Sequence, residues 1–289
     1  MVHTTADDPL SYFTTSEYGD LDWAGTLDYM TRRYIHPLQQ HLDISKLVLA
    51  DCAAGFGWLS FAWLLAGGEH AILIEPNQER LEAARVIAHK LGVEGRCEFR
   101  CTTMQNAQLG AKSVDVFASV ETLEHVGKAN IKDCIATIAD CTRLAVLITT
   151  PNARFPIIAH DSRLPFAHWL PKTWRKTYAT WFKRAEQEIG NDFLSPRDLT
   201  PVIRAFKPVA RFQTFQTYRE FIRFYPHYLP YGPAGGRQRH APSLALRSWV
   251  KVIGTLFGVQ AWRFSPNLAN IWLEPSITPN QFGEAHASL

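Results

Sequence analysis

The 289-residue chain is poor in several things that would have fixed its class at once. Five cysteines (Cys52, Cys97, Cys101, Cys134, Cys141) stand scattered, without CxxC pairs. They are expected as buried reduced thiols, not as a disulfide frame or a zinc site. No apolar run approaches the roughly 20 residues that a membrane-spanning helix needs; the longest cover 58–66 and 252–259. The first ten residues are polar and acidic, with no basic segment followed by an apolar one, so no secretory leader is read and a cytoplasmic location is expected. No internal repeat or low-complexity tract occurs. Proline is scarce up to Thr150, with 3 of the 17, and so is positive charge, with 12 Lys/Arg against 19 Asp/Glu. Beyond Thr150 both reverse: 14 prolines, and 18 Lys/Arg against 8 Asp/Glu, with 17 aromatic residues crowded into 151–231. The net charge of +3 therefore sums an acidic half and a basic, aromatic half.

With 46% hydrophobic residues the chain can bury a sizeable core. From Lys46 onward, short β-branched or apolar runs alternate with helical patterns, the signature of a parallel sheet covered on both faces. Strands are expected at 46–51, 70–75, 96–101, 115–120, 143–149, 209–217 and 270–273. Helices are expected at 77–91, N-capped by Asn77 with Leu81, Ala84, Ala88 and Leu91 on one face, around Ile131, Ile135 and Ile138, at 196–206 capped by Ser195, and at 249–257. Residues 1–45, with Tyr12, Tyr18, Trp23, Tyr29 and Tyr34, read as a helical lid. Residues 46–289 read as the core, and 152–195 as an aromatic and basic insertion over the strand ends, where open α/β sheets bind ligands.

The first strand runs into Asp51-Cys-Ala53-Ala-Gly55-Phe-Gly57, an acidic residue followed by small ones at alternate positions. Such a turn lets a ligand approach the backbone closely. Twenty-four residues after Asp51 the second strand ends at Glu75, whose carboxylate can accept both hydroxyls of a ribose. A nicotinamide fingerprint would want Gly or Ala where Ser60 stands, and no bulky Trp58. The arrangement resembles motif I and the following acidic strand end of class I S-adenosylmethionine-dependent methyltransferases, with Ala53 in place of the usual first glycine. The resemblance implies an α/β, Rossmann-like, seven-stranded and mostly parallel sheet with an antiparallel last strand. It implies S-adenosyl-L-methionine held by Asp51, Ala53, Gly55, Gly57 and Glu75, with Met104 packing against the adenine.

After the fourth strand comes Glu121-Thr-Leu-Glu124-His125. At helical spacing all three polar side chains would share one turn, an oxygen and nitrogen set suited to a divalent cation. ExxEH at this place is similar to the metal motif of the ubiquinone-biosynthesis O-methyltransferases and the small-RNA 2′-O-methyltransferases. That resemblance implies Mg²⁺ or Mn²⁺ on Glu121, Glu124, His125 and a downstream histidine, His160 before His168, and methylation of one hydroxyl of a diol, catechol or glycan. The same LEHV string also shapes the cleft floor of metal-independent relatives, which leaves His125 or His160 as general base and O-, N- or C-methylation open. The expected partner is a small-molecule or glycan substrate, with an anionic one favoured by the basic half. Nucleic acid is disfavoured because no RNA-binding module flanks the core, and a homodimer stays open. A cofactor-binding scaffold without catalysis is the non-enzyme alternative.

Overall fold

A computed structural model describes residues 10–16, 18–158, 162–184, 191–211 and 243–277. Seven strands form one sheet: β1 Val48–Cys52, β2 His70–Ile74, β3 Cys97–Arg100, β4 Val114–Val120, β5 Thr142–Thr149, β6 Lys207–Arg211 and β7 Asn270–Leu273, in the order β3-β2-β1-β4-β5-β7-β6. All neighbours pair in parallel except β7, which runs antiparallel to both β5 and β6. This is the parallel sheet expected from the alternating pattern, in the seven-stranded Rossmann-like form with an antiparallel last strand that the resemblance implies. The order changes direction between β1 and β4, so their carboxyl ends open a crevice.

The strands are apolar throughout because both faces are covered. Leu49, Leu73, Val116, Ala118, Leu147 and Ile271 point to one layer, built by α2 Trp23–Met30, α3 His36–Gln39, α4 Trp58–Leu65 and α5 Gln78–Lys90. Ala50, Ile72, Ile74, Phe117, Val146, Ile148 and Trp272 point to the other, against α6 Lys128–Cys141 and α8 Thr200–Ala205. The alternation has period 2, the pleat of the strand. Asn77 caps α5 as expected, its Oδ1 accepting from Arg80 N–H at 2.8 Å. Cys52, Cys134 and Cys141 are buried free thiols, pushed up in pKa by burial. Cys101 is exposed and Cys97 partly so, against expectation.

Three boundaries differ from the pattern reading. Residues 44–46 form a 3-10 turn capped by Asp43, so β1 starts two residues later. Ser195 does not cap α8: its N–H and hydroxyl both donate to Asp198 Oδ2, at 2.7 and 2.8 Å, closing a turn before the helix begins at Thr200. The helix Leu244–Phe257 begins five residues before 249, because Ser243 accepts from Leu246 N–H at 3.2 Å and starts it there. The expected strand 209–217 corresponds to β6 up to Arg211, and its remainder lies outside the described residues. Among the described residues no helix is long and apolar enough to cross a membrane.

Candidate functional site at the carboxyl ends of the strands

Between β1 and α4 the chain turns through three left-handed residues, Ala53 (φ 54°), Gly55 (φ 56°) and Gly57 (φ 83°). An L side chain in that conformation costs roughly 1–2 kcal/mol. Ala53 is carried there by its surroundings, since the next N–H, of Ala54, is fixed on the Ile74 carbonyl at 3.2 Å. The two glycines serve different ends. A Cβ on Gly57 would lie 2.5 Å from the Phe61 ring and 2.8 Å from Leu73 Cδ2, so packing of α4 on the sheet demands its absence. A Cβ on Gly55 would meet nothing within 4 Å, so that position borders open space.

Glu75, buried just past β2, braces this turn. Its Oε2 accepts the Gly55 N–H at 2.9 Å and its Oε1 the Asn77 N–H at 3.1 Å, which leaves each oxygen acceptor capacity for a ligand hydroxyl. Asp51, buried on β1, accepts the Ser60 hydroxyl at 2.8 Å. Burial pushes its carboxyl up to about 7 despite the Ser60 bonds. Ser60, the residue that argues against a nicotinamide fingerprint, is thus a partner of the motif's acid. Met104 is buried in the core layer with Ile72 and Ile74.

Phe56, between the two glycines, was no candidate, yet it ties the turn to the amino-terminal segment. Its ring centroid lies 4.9 Å from Phe13, 6.0 Å from Tyr18 and 6.3 Å from Tyr12. The Tyr12 hydroxyl also accepts from Asn77 Nδ2 at 3.4 Å. Its signal in the sequence was only the run of aromatics 40 residues earlier, which carries no pairing information.

The expectation of one helical turn holding Glu121, Glu124 and His125 is corrected. Glu121 is left-handed (φ 51°), and its N–H bonds the Thr149 carbonyl at 2.7 Å, so it finishes the sheet instead of starting a helix. A 3-10 turn, Leu123–His125, follows. The two carboxyl groups still lie close enough to act on each other, and Thr150 Oγ1 donates to Glu124 Oε2 at 2.9 Å. Burial first, and the Glu121 charge second, push Glu124 up to about 8. His125 stands exposed, apart from that pairing, and no group of three His, Cys, Asp or Glu placed to hold a metal occurs among the described residues. His160 lies outside the described residues. His168 is buried with its Nε2 3.0 Å from the Ala153 carbonyl.

Asn152, fully buried, ties its own segment to the one before β7, beside this pair. Its Nδ2 donates to the carbonyls of Arg263 (3.1 Å) and Ser265 (2.8 Å), and its Oδ1 accepts the Arg154 N–H at 3.0 Å. The Thr150-Pro151-Asn152 string therefore fixes the rim of the crevice around Glu124.

Residues 49–144 match the family model described as a methyltransferase domain. No curated relative matches the sequence. Among solved structures the chain is similar to geranyl diphosphate C-methyltransferase from Streptomyces coelicolor A3(2), at 12% identity and TM-score 0.46 over 89% of this chain and 83% of that one. It is similar to the MccD protein at 13% identity and TM-score 0.47, over 86% and 96%. It is similar to an S-adenosylmethionine-dependent methyltransferase from Mesorhizobium loti at 16% identity and TM-score 0.38, over 46% and 60%. At these values the likenesses say nothing about substrate. The domain match covers a third of the chain and falls on the strands that carry the glycine turn and the carboxyl pair, so residues 49–144 are similar to a methyltransferase domain, set in a seven-stranded, mostly parallel sheet.

Proposed function

We propose that this chain is an S-adenosylmethionine-dependent methyltransferase acting on oxygen, transferring a methyl group to a hydroxyl of a small polar diol, catechol or glycan. The observation that carries the reading is the Glu121–Glu124 carboxyl pair at the end of β4, beside the glycine turn. Burial pushes the Glu124 carboxyl up to about 8, so it holds its proton near neutral pH, while Glu121 is partly exposed. Like charges placed together keep one proton between them, which leaves one carboxylate as proton acceptor.

The residues of the turn fit S-adenosylmethionine. Gly55 leaves room for it, and Glu75 keeps acceptor capacity for two ribose hydroxyls. Bound there, the cofactor supplies an electrophilic methyl on a sulfonium. The chain's part is to orient the acceptor oxygen in line and take its proton on Glu121, so that an O–CH₃ bond forms as the O–H proton leaves. The amino-terminal helices and the segment 152–195 would cover the bound pair. An anionic substrate is supported by Arg154, Arg197 and Arg263: Asn152 bonds the backbones of Arg154 and Arg263, and Arg197 lies close enough for its charge to act on Arg154. Burial and then the charges of Arg197 and Arg263 hold Arg154 below the usual guanidinium range.

The second reading, metal assistance, is favoured by the same carboxyl pair, since two carboxylates brought together against repulsion are a ready cation site. Among the described residues no third ligand completes it, His125 being exposed and apart from the pair. Release of S-adenosylhomocysteine over a panel of diols, catechols and sugars tests the proposal. Glu121→Gln should lower kcat by about 10²-fold or more while cofactor binding by calorimetry persists. Undiminished turnover of that variant, or methyl found on carbon or nitrogen, refutes it. Activity abolished by EDTA and restored by Mg²⁺ or Mn²⁺ would establish the second reading.

A further inference from the structure

We propose that the outer face of α7 (Lys172–Trp181) docks this chain on an anionic lipid surface, with Trp174 and Trp181 entering the interface and the exposed Lys176 and Lys183 drawing the helix to the headgroups. The underside of the helix is fixed. Ala179 is buried there, and Arg175 donates to the carbonyls of Leu170 (2.9 Å), His168 (2.7 Å) and Asn191 (3.5 Å). Lys172 pairs with Asp192 at 3.0 Å. Those two cations are engaged with the protein.

The outer face shows the opposite chemistry. Trp174, Tyr178 and Trp181 follow at i, i+4 and i+7 and share one stripe. Trp174 is 67% and Trp181 76% exposed, and Phe182, 56% exposed, meets Tyr178 edge to face with centroids 5.2 Å apart. A second exposed pair, Phe166 and Trp169, stands 4.9 Å apart just before the helix. An amphipathic helix on a water-soluble protein turns its large apolar residues inward, so an outward aromatic stripe marks a surface that something covers.

Charge selects the occupant. Residues 162–184 contain no Asp or Glu; Lys176, on another side of the helix from the stripe, and Lys183 and Arg184, just past its end, are exposed. A second copy meeting this face across a two-fold axis would set cations against cations. Single-stranded nucleic acid binds in grooves that track its backbone, whereas this is the convex side of a helix. Tryptophan and tyrosine suit the headgroup level of a bilayer, and nearby lysines are attracted to anionic lipid.

The test uses the full chain and phosphatidylcholine vesicles with and without phosphatidylglycerol, read by co-sedimentation and tryptophan emission. The expected result is binding and a blue shift with the anionic vesicles only, weakened by salt. Trp174→Ser/Trp181→Ser should lower the partition by about ten-fold or more. Lys176→Glu/Lys183→Glu should lower it at least about five-fold per lysine removed. All four positions are exposed on the surface, and unchanged thermal unfolding confirms that both variants fold. Failure of the wild type to bind anionic vesicles, or equal binding by both variants, overturns the proposal. So does self-association or oligonucleotide binding that the variants abolish while vesicle binding is absent. None of these readouts depends on the acceptor atom, so they stand or fall apart from the O-methylation reading.

Discussion

Gly55 and Gly57 are two residues apart, equally left-handed, and should fail in different ways when each becomes alanine. At Gly57 the new Cβ pays the left-handed penalty of roughly 1–2 kcal/mol and also strikes the Phe61 ring and Leu73, an overpacking cost of about 1–3 kcal/mol. Alanine recovers about 0.4–1 kcal/mol by restricting the unfolded chain, which leaves a net loss near 2–4 kcal/mol. At Gly55 there is no clash, so the same recovery brings the loss to about 1 kcal/mol or less. Its Cβ instead projects into the space assigned to the cofactor. Displacing a ligand against a fixed methyl costs about 1–3 kcal/mol, or roughly 5- to 150-fold in Kd. Denaturant unfolding without cofactor and calorimetry with S-adenosylhomocysteine separate the two effects. Gly57→Ala should show the larger stability loss, and Gly55→Ala the larger affinity loss for its stability. Wild-type affinity in a fully folded Gly55→Ala would refute the assignment of that space. Wild-type stability in Gly57→Ala would refute the packing argument.

Glu75→Ala should destabilise the cofactor-free protein by about 1.5–3 kcal/mol for each of the two amides it leaves unpartnered, with Glu75→Gln retaining part of this; unchanged unfolding in urea would mean that Glu75 does not brace the turn. Asp51, held near 7, keeps in the native state a proton that the unfolded chain loses near pH 4. Its contribution to stability therefore falls as pH rises between about 4 and 7, by up to about 1.4 kcal/mol per unit, and Asp51→Asn should lack that slope; parallel stability profiles for wild type and variant would contradict it. Thr150→Val removes a bond that favours ionised Glu124, so about 1–3 kcal/mol should be lost, more at pH 9 than at pH 6; a loss smaller at pH 9 would show that the bond does not act on the charged form.

The strands were legible because burial on two faces writes itself as short apolar runs, and β7 matches its expected bounds residue for residue. Helix starts were legible only where a side chain does the capping. Asn77 does so, whereas Ser195 is occupied by Asp198 in a turn that competes with the helix. The glycine turn was legible since Gly and Ala advertise close approach. The geometry of Glu121 was not, because nothing about a glutamate announces a left-handed backbone; a sheet hydrogen bond to Thr149, decided by strand register, imposes it. Phe56 escaped for a related reason. Its importance rests on contacts with Phe13 and Tyr18, far away in the chain, and contacts of that kind leave no local pattern.

Phe56 is also the place where two events become one. Seating the first helices and setting the shape of the glycine turn both require the same ring to be gripped by Phe13, Tyr12 and Tyr18. Thermodynamic linkage makes any such influence mutual: whatever factor a docked amino-terminal segment adds to occupancy of the turn, occupancy returns to the docking of the segment. A protease cutting between α1 (Ser11–Thr14) and α2 would then report on a cleft it never touches.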